Sequence, residues 1–275
     1  MRKKFLAIVA AAFLATAGVA APASAVTATT ADLYVLHAVP ATPVDVWVNG
    51  AVLLPNFQPG TLTDAVPLAT GTYTVVITAV GDPITSPVIG PADLDLVAGK
   101  SYTVVAHLTA AGAPTATLFE NDLSTIPAGQ GKLTVRHTAA APAVDLLAGG
   151  AAVAGFTNLT NPNEKKANLP IGTVSAAVAA TGTTTPVIGP ADVQIQEGVN
   201  TIVYAWGSLD ADNLELAVQT ISGLHSNPGG VNTGQAGLAA DPNPATVGLG
   251  IAALLALLVV GGVAVVRTRA TQARR

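Results

Sequence analysis

Residues 87–93 read PVIGPAD, and residues 186–192 read PVIGPAD again. The same seven residues, 99 positions apart, mark either a site used twice or a structural feature that one fold needs twice. Aligning the flanks extends the match. Leu33-Tyr34-Val35-Leu36-His37 aligns with Leu133-Thr134-Val135-Arg136-His137. Pro43, Val44 and Asp45 align with Pro142, Val144 and Asp145, Phe57 with Phe156, and Gly71-Thr72 with Gly172-Thr173. The offset stays between 99 and 101 throughout. A register this constant indicates two copies of one domain.

Each copy reads as strands. In TYTVVITAV (72–80), Tyr73, Val75, Ile77 and Ala79 alternate with Thr72, Thr74, Val76 and Thr78. Period-2 alternation of β-branched and aromatic residues predicts a half-buried strand. SYTVVAHL (101–108), Asp32–Val39 and Val44–Val48 have the same texture. Turn residues separate the runs at Asn49-Gly50, Pro59-Gly60, Gly71, Gly81-Asp82-Pro83, Gly90-Pro91 and Ala98-Gly99. This spacing predicts an all-β chain with two tandem Ig-like antiparallel β-sandwich domains of about seven strands each. Copy 2 has TVSAAVAA (173–180) where copy 1 has TYTVVITAV. Alanine buries little area, so copy 2 is expected to be the less stable. Gly90-Pro91 is read as a corner that ends Val88-Ile89 before Leu94 and Leu96 re-enter the core.

The two ends differ from the middle. Met1–Ala25 has a basic start at Arg2, Lys3 and Lys4, an apolar stretch and an Ala23-Ser24-Ala25 cleavage site, the pattern of a signal peptide. Val247–Val266 holds 20 residues without a charge, and Arg267, Arg269, Arg274 and Arg275 follow. Such a segment predicts one transmembrane helix with a cytoplasmic C-terminus. Residues 222–246, rich in Gly, Pro and Asn, read as a flexible linker. The predicted organisation is therefore signal peptide 1–25, repeat 1 at 26–128, repeat 2 at 129–221, linker 222–246, membrane helix 247–266 and basic tail 267–275.

Between the ends only Lys100, Lys132, Arg136, Lys165 and Lys166 face all 16 Asp and Glu, a balance of −11. An acidic exported region argues against nucleic acid as a partner. There is no cysteine, so no disulfide or thiolate site supports the fold. That absence fits an exported protein of a Gram-positive bacterium.

Four residue sets carry candidate chemistry. His37 with Asp45, and His137 with Asp145, recur at a spacing of eight. They are read as structural His–Asp pairs stitching adjacent strands; the rival reading is base catalysis by an extracytoplasmic hydrolase. No G-x-S-x-G, no cysteine and no serine shared by both copies nearby supplies a nucleophile, so no catalytic residue is assigned. Trp47, Tyr73, Tyr102 and Trp206 are candidate binding aromatics for a wall polymer, against core packing as the alternative. Asp93 and Asp95 suggest Ca²⁺, but copy 2 has Asp192 and Gln194, and a hard cation needs more oxygens. No metal or cofactor is assigned. Lys165-Lys166 reads as a solvated loop pair.

His37, Pro43, Val44-Asp45-Val46 and Asn49-Gly50, then Pro67-Leu-Ala-Thr-Gly71-Thr-Tyr73-Thr-Val75 and Val97-Ala-Gly99-Lys-Ser-Tyr102-Thr-Val104, resemble a bacterial secreted domain family, domain of unknown function 4397. The resemblance covers about Ala31–Asp122 well and Gly131–Ile221 more loosely; copy 2 has Val174 and Thr201 at the two tyrosine positions. It implies a β-sandwich at a bacterial surface and implies no activity. The sequence thus points to a non-enzymatic, single-pass cell-envelope protein, with a wall polymer or surface protein as candidate partner.

Overall fold

A computed structural model describes residues 29–225. The predicted signal peptide, most of the predicted linker, the predicted membrane helix at 247–266 and the basic tail lie outside the described residues, among which no helix is long and apolar enough to cross a membrane. The alternating runs of the first repeat form β1 (Thr30–Ala38), β2 (Val44–Val48), β3 (Ala51–Phe57), β4 (Val66–Ala69), β5 (Gly71–Ala79), β6 (Ile89–Leu96), β7 (Ser101–Leu108) and β8 (Pro114–Asn121). The second repeat forms β9 (Gln130–His137), β10 (Val144–Ala148), β11 (Ala151–Ala152), β12 (Glu164–Pro170), β13 (Gly172–Ala180), β14 (Pro186–Ile195), β15 (Asn200–Trp206) and β16 (Glu215–Ile221).

The first repeat builds sheets of order β4-β1-β7-β8 and β3-β2-β5-β6. The second repeats that order as β12-β9-β15-β16 and β11-β10-β13-β14. Three points correct the expectation. Each repeat has eight strands rather than about seven. One sheet of each repeat is mixed: β1 runs parallel to β7, with Leu33 beside Tyr102, and β9 runs parallel to β15, with Leu133 beside Thr201. The order also departs from the immunoglobulin arrangement, in which the first, second, fourth and fifth strands share a sheet; here the first two strands are in different sheets. Alternation tells which face of a strand is buried and carries no information about the direction of its partner.

The inward faces form one core per repeat. Leu33, Val35, Val46, Val75, Ile77, Leu94, Leu96 and Val104 fill the first. Leu133, Val135, Leu146, Ala176, Val178, Val193, Ile195 and Val203 fill the second. The hairpin registers place Ala176 of β13 where β5 has Val75. The missing methyl groups leave an apolar cavity of about 20 Å³ beside Leu133, Val135, Ala176 and Val203.

PVIGPAD does not end a strand. Ile89–Asp93 open β6, and in the second copy all seven residues lie inside β14; each hairpin register slips there by a bulge opposite Val75–Ile77 and Ala176–Val178. Gly90 has φ +90°, and a Cβ there would sit 2.7 Å from the Val75 carbonyl oxygen. Gly189 repeats this, with φ +87° and 2.9 Å to the Ala176 carbonyl. The expected corner is therefore a bulge that brings two backbones together too closely for a side chain, while Leu94, Leu96, Val193 and Ile195 continue into the core.

The outward faces of β1, β7, β9 and β15 are also buried. Leu36, Ala38, Val105 and Phe119 of the first repeat join Ile202, Tyr204, Trp206 and Ile221 of the second in a single apolar cluster. The β4-β1-β7-β8 sheet thus packs face to face on the β12-β9-β15-β16 sheet, and the repeats form one continuous body.

Candidate functional site

No hydrogen bond or ion pair joins His37 to Asp45 or His137 to Asp145. His37 Nε2–H donates to the Thr42 carbonyl at 2.8 Å and its Nδ1 accepts from Val39 N–H at 3.4 Å. His137 does the same with the Pro142 carbonyl at 2.9 Å and Ala139 N–H at 3.3 Å. Both nitrogens of each neutral ring are thus spent on the loop after β1 or β9. Burial pushes both imidazoles below their usual value, against the opposing pull of the carbonyl bonds. Asp45 accepts from Asn56 N–H at 2.7 Å and Gly81 N–H at 2.9 Å, and Asp145 from Asn158 N–H at 2.7 Å and Gly182 N–H at 3.0 Å. These backbone donors hold both carboxyls below the usual carboxylate range. Each residue therefore ties loops to the sandwich by itself.

The four candidate aromatics share no surface. Tyr102 is in the first core and Tyr73 packs against it. Trp206 is buried between the repeats, where a Cβ on Gly60 would lie 3.2 Å from its ring. Trp47 is half-buried on the outer face of its sheet, its Nε1–H donating to Thr78 Oγ1 at 3.0 Å. Lys165-Lys166, read as a loop, stands in β12. Lys165 donates to the Thr157 carbonyl.

The structure gathers a different set. Arg136, at the β9 position where β1 has Leu36, is fully buried between the repeats. Its Nη1 donates to Asn121 Oδ1 at 3.0 Å and to Tyr204 Oη at 2.7 Å, and its Nε donates to Glu164 Oε2 at 2.8 Å. Its guanidinium stacks on the Phe119 ring, 4.4 Å from the centroid. Tyr204 Oη–H passes the network to Gln219 Oε1 at 2.6 Å. Its Nη2 reaches the Glu120 carbonyl at 3.4 Å, so each guanidinium nitrogen has a partner, as a buried charge requires.

Equivalent positions on the two facing sheets have exchanged character. The strand registers equate Leu36 with Arg136, Thr103 with Ile202, Val105 with Tyr204, Phe119 with Gln219 and Asn121 with Ile221. In each pair one copy is apolar and the other polar. The result is a pseudo-symmetric interface in which two unlike faces complement each other, whereas two like faces would bury unpaired polar groups.

Beside this network a groove of about 860 Å³ opens between edge strands β8 and β12, lined by Lys100, Glu120, Asn121, Asp122, Glu164 and Lys166 among others. Asp122 bridges Lys132 at 2.9 Å and Lys166 at 3.1 Å. Burial alone would raise its carboxyl, but Ser124 and the two lysines outweigh that and hold it well below the carboxylate range. Lys100 pairs with Glu120 at 2.6 Å. Among the described residues, four of the five cations line this groove or bind residues that do. Their balance against Glu120, Asp122 and Glu164 is positive, whereas twelve carboxylates and Lys165 lie elsewhere. The signal in the sequence was an arginine at a strand position whose counterpart is leucine.

Residues 31–147 match the family model described as a domain of unknown function, DUF4397. This segment is similar to the DUF4397 family. The match runs through all eight strands of the first repeat and on through β9 and most of β10. No curated protein matches the chain. The DUF4397 family assigns no activity to the groove, so its chemistry rests on the residues themselves.

Proposed function

We propose that this protein is a non-enzymatic, membrane-anchored module of the bacterial cell envelope, in which two fused β-sandwiches present one rigid surface for binding or adhesion. The observation that carries this reading is the junction. A buried Arg136 network and a shared apolar cluster lock the repeats together, and the lock creates a groove that a single repeat lacks. The signal pattern at 1–25 and the uncharged 247–266 segment support export and a single span. The commitment of both ring nitrogens of His37 and His137 to backbone supports a structural role over base catalysis. Lys100 and Lys166 are about half exposed, at 48% and 47%, so a membrane-impermeant amine reagent tests the topology on intact cells. The expected result is modification of both lysines in a membrane-fraction protein. Labelling only after lysis would overturn the placement.

A further inference from the structure

We propose that the groove between β8 and β12 binds an acidic saccharide, a sugar unit carrying one carboxylate. This rests on the surface-module reading above and gives that surface a ligand class. The groove's volume of about 860 Å³ is in the range of small-ligand sites. Its wall combines two half-exposed ammonium groups on Lys100 and Lys166, the carboxylates of Glu120 and Glu164, and the exposed amide of Asn163, while Asn121 lies buried behind them with both amide atoms bonded. That mixture matches an acidic sugar: ammonium groups take the carboxylate, and the carboxylates and the Asn163 amide take the hydroxyls.

Both lysines hold ion pairs, yet their side chains stay about half exposed and open to a ligand. Lys100 pairs only with Glu120, and both side chains are about half exposed, at 48% and 52%. An exposed pair of that kind contributes at most about 1 kcal/mol, so a ligand carboxylate displaces Glu120 at little cost. Lys166 reaches Asp122 at 3.1 Å and Glu164 only at 3.9 Å. Lys132 and Arg136, both buried, hold Asp122 and Glu164 in place beneath. The strongly acidic surface outside the groove repels long polyanions, which narrows the ligand to one carrying isolated carboxylates.

The test is titration calorimetry on the full-length protein. The probes are a glucuronate-containing disaccharide and its counterpart with the carboxylate reduced to a hydroxymethyl group. The acidic probe is expected to bind and the reduced probe to bind at least about tenfold more weakly. Binding should weaken with added salt. The variant Lys100→Gln/Lys166→Gln should lose about tenfold or more in affinity, Lys165→Gln should not, and all should keep the parental melting midpoint. If the double variant melts lower, Lys100→Gln alone, at an exposed pair, serves in its place. Equal binding of both probes, unchanged affinity in the groove variants, or no heat with about 10 mM acidic probe would overturn the proposal. Surface labelling of Lys100 and Lys166 together with absent binding removes the site and leaves the envelope reading standing. Binding by a protein that labels only after lysis does the reverse.

Discussion

At Gly90 the backbone conformation and the space around it make the same demand. A side chain there meets both a φ of +90° and a carbonyl oxygen 2.7 Å away. Gly81 shares the positive φ, at +82°, but nothing lies within 4 Å of its Cβ position. Gly90→Ala is therefore expected to destabilise by about 2–3 kcal/mol and Gly81→Ala by about 1 kcal/mol, read as the difference in urea unfolding free energy. Equal losses at the two sites would show that φ alone matters. The buried histidines give a second prediction at this scale. Burial lowers the folded-state pKa of His37, His107 and His137 below the ordinary 6.5. Folding then favours the neutral ring. Its contribution is fully present above pH 6.5 and is lost as pH falls through the folded values. Stability should drop between about pH 6.5 and 5, before any carboxylate held below its usual range begins to protonate. A flat urea midpoint across that window would contradict it.

At the scale of elements, β5 and β13 compare two solutions of one strand. Val75 fills the first core and Ala176 under-fills the second, leaving the small cavity beside Val135 and Val203. Ala176→Val copies the solution of the first repeat. It should stabilise the protein by about 1 kcal/mol, whereas Val75→Ala should cost about 2 kcal/mol or more. Differential scanning calorimetry of both variants checks the pair; a lower midpoint for Ala176→Val would mean that the alanines are needed for fit. The alanine-rich texture of β13 was legible in the sequence. The bulge in β6 was not, because Gly-Pro marks a break in regular pairing without saying whether the strand stops or slips past it.

At the scale of the molecule, the two repeats should melt together. Their facing sheets share the Leu36–Phe119–Ile202–Tyr204 cluster and the Arg136 network. Losing either partner sheet exposes that apolar face and strands polar groups. One calorimetric transition is expected, with its calorimetric enthalpy equal to the van't Hoff value. Arg136→Leu, which copies the residue of β1, leaves Glu164, Asn121 and Tyr204 without their donor. It should cost about 3–5 kcal/mol and split or broaden the transition. A single sharp transition at the parental midpoint would refute the coupling.

The sequence by itself determined that the chain is duplicated, that each copy is built of strands, and which face of most strands enters the core. Alternation and repeat register are local properties, and they survive in one dimension. Strand partners, the parallel β1–β7 and β9–β15 pairs, and the junction belong to tertiary structure alone, because residues meeting there are far apart in the chain. His37 and Asp45, eight residues apart, are stitched to different loops. Lys100 and Lys166, 66 residues apart, face one groove. The outward side of β1 or β9 is predicted from sequence as solvated unless something covers it. Here the other repeat covers it, and burial makes Arg136 a member of a charged network that the linear pattern leaves on the surface.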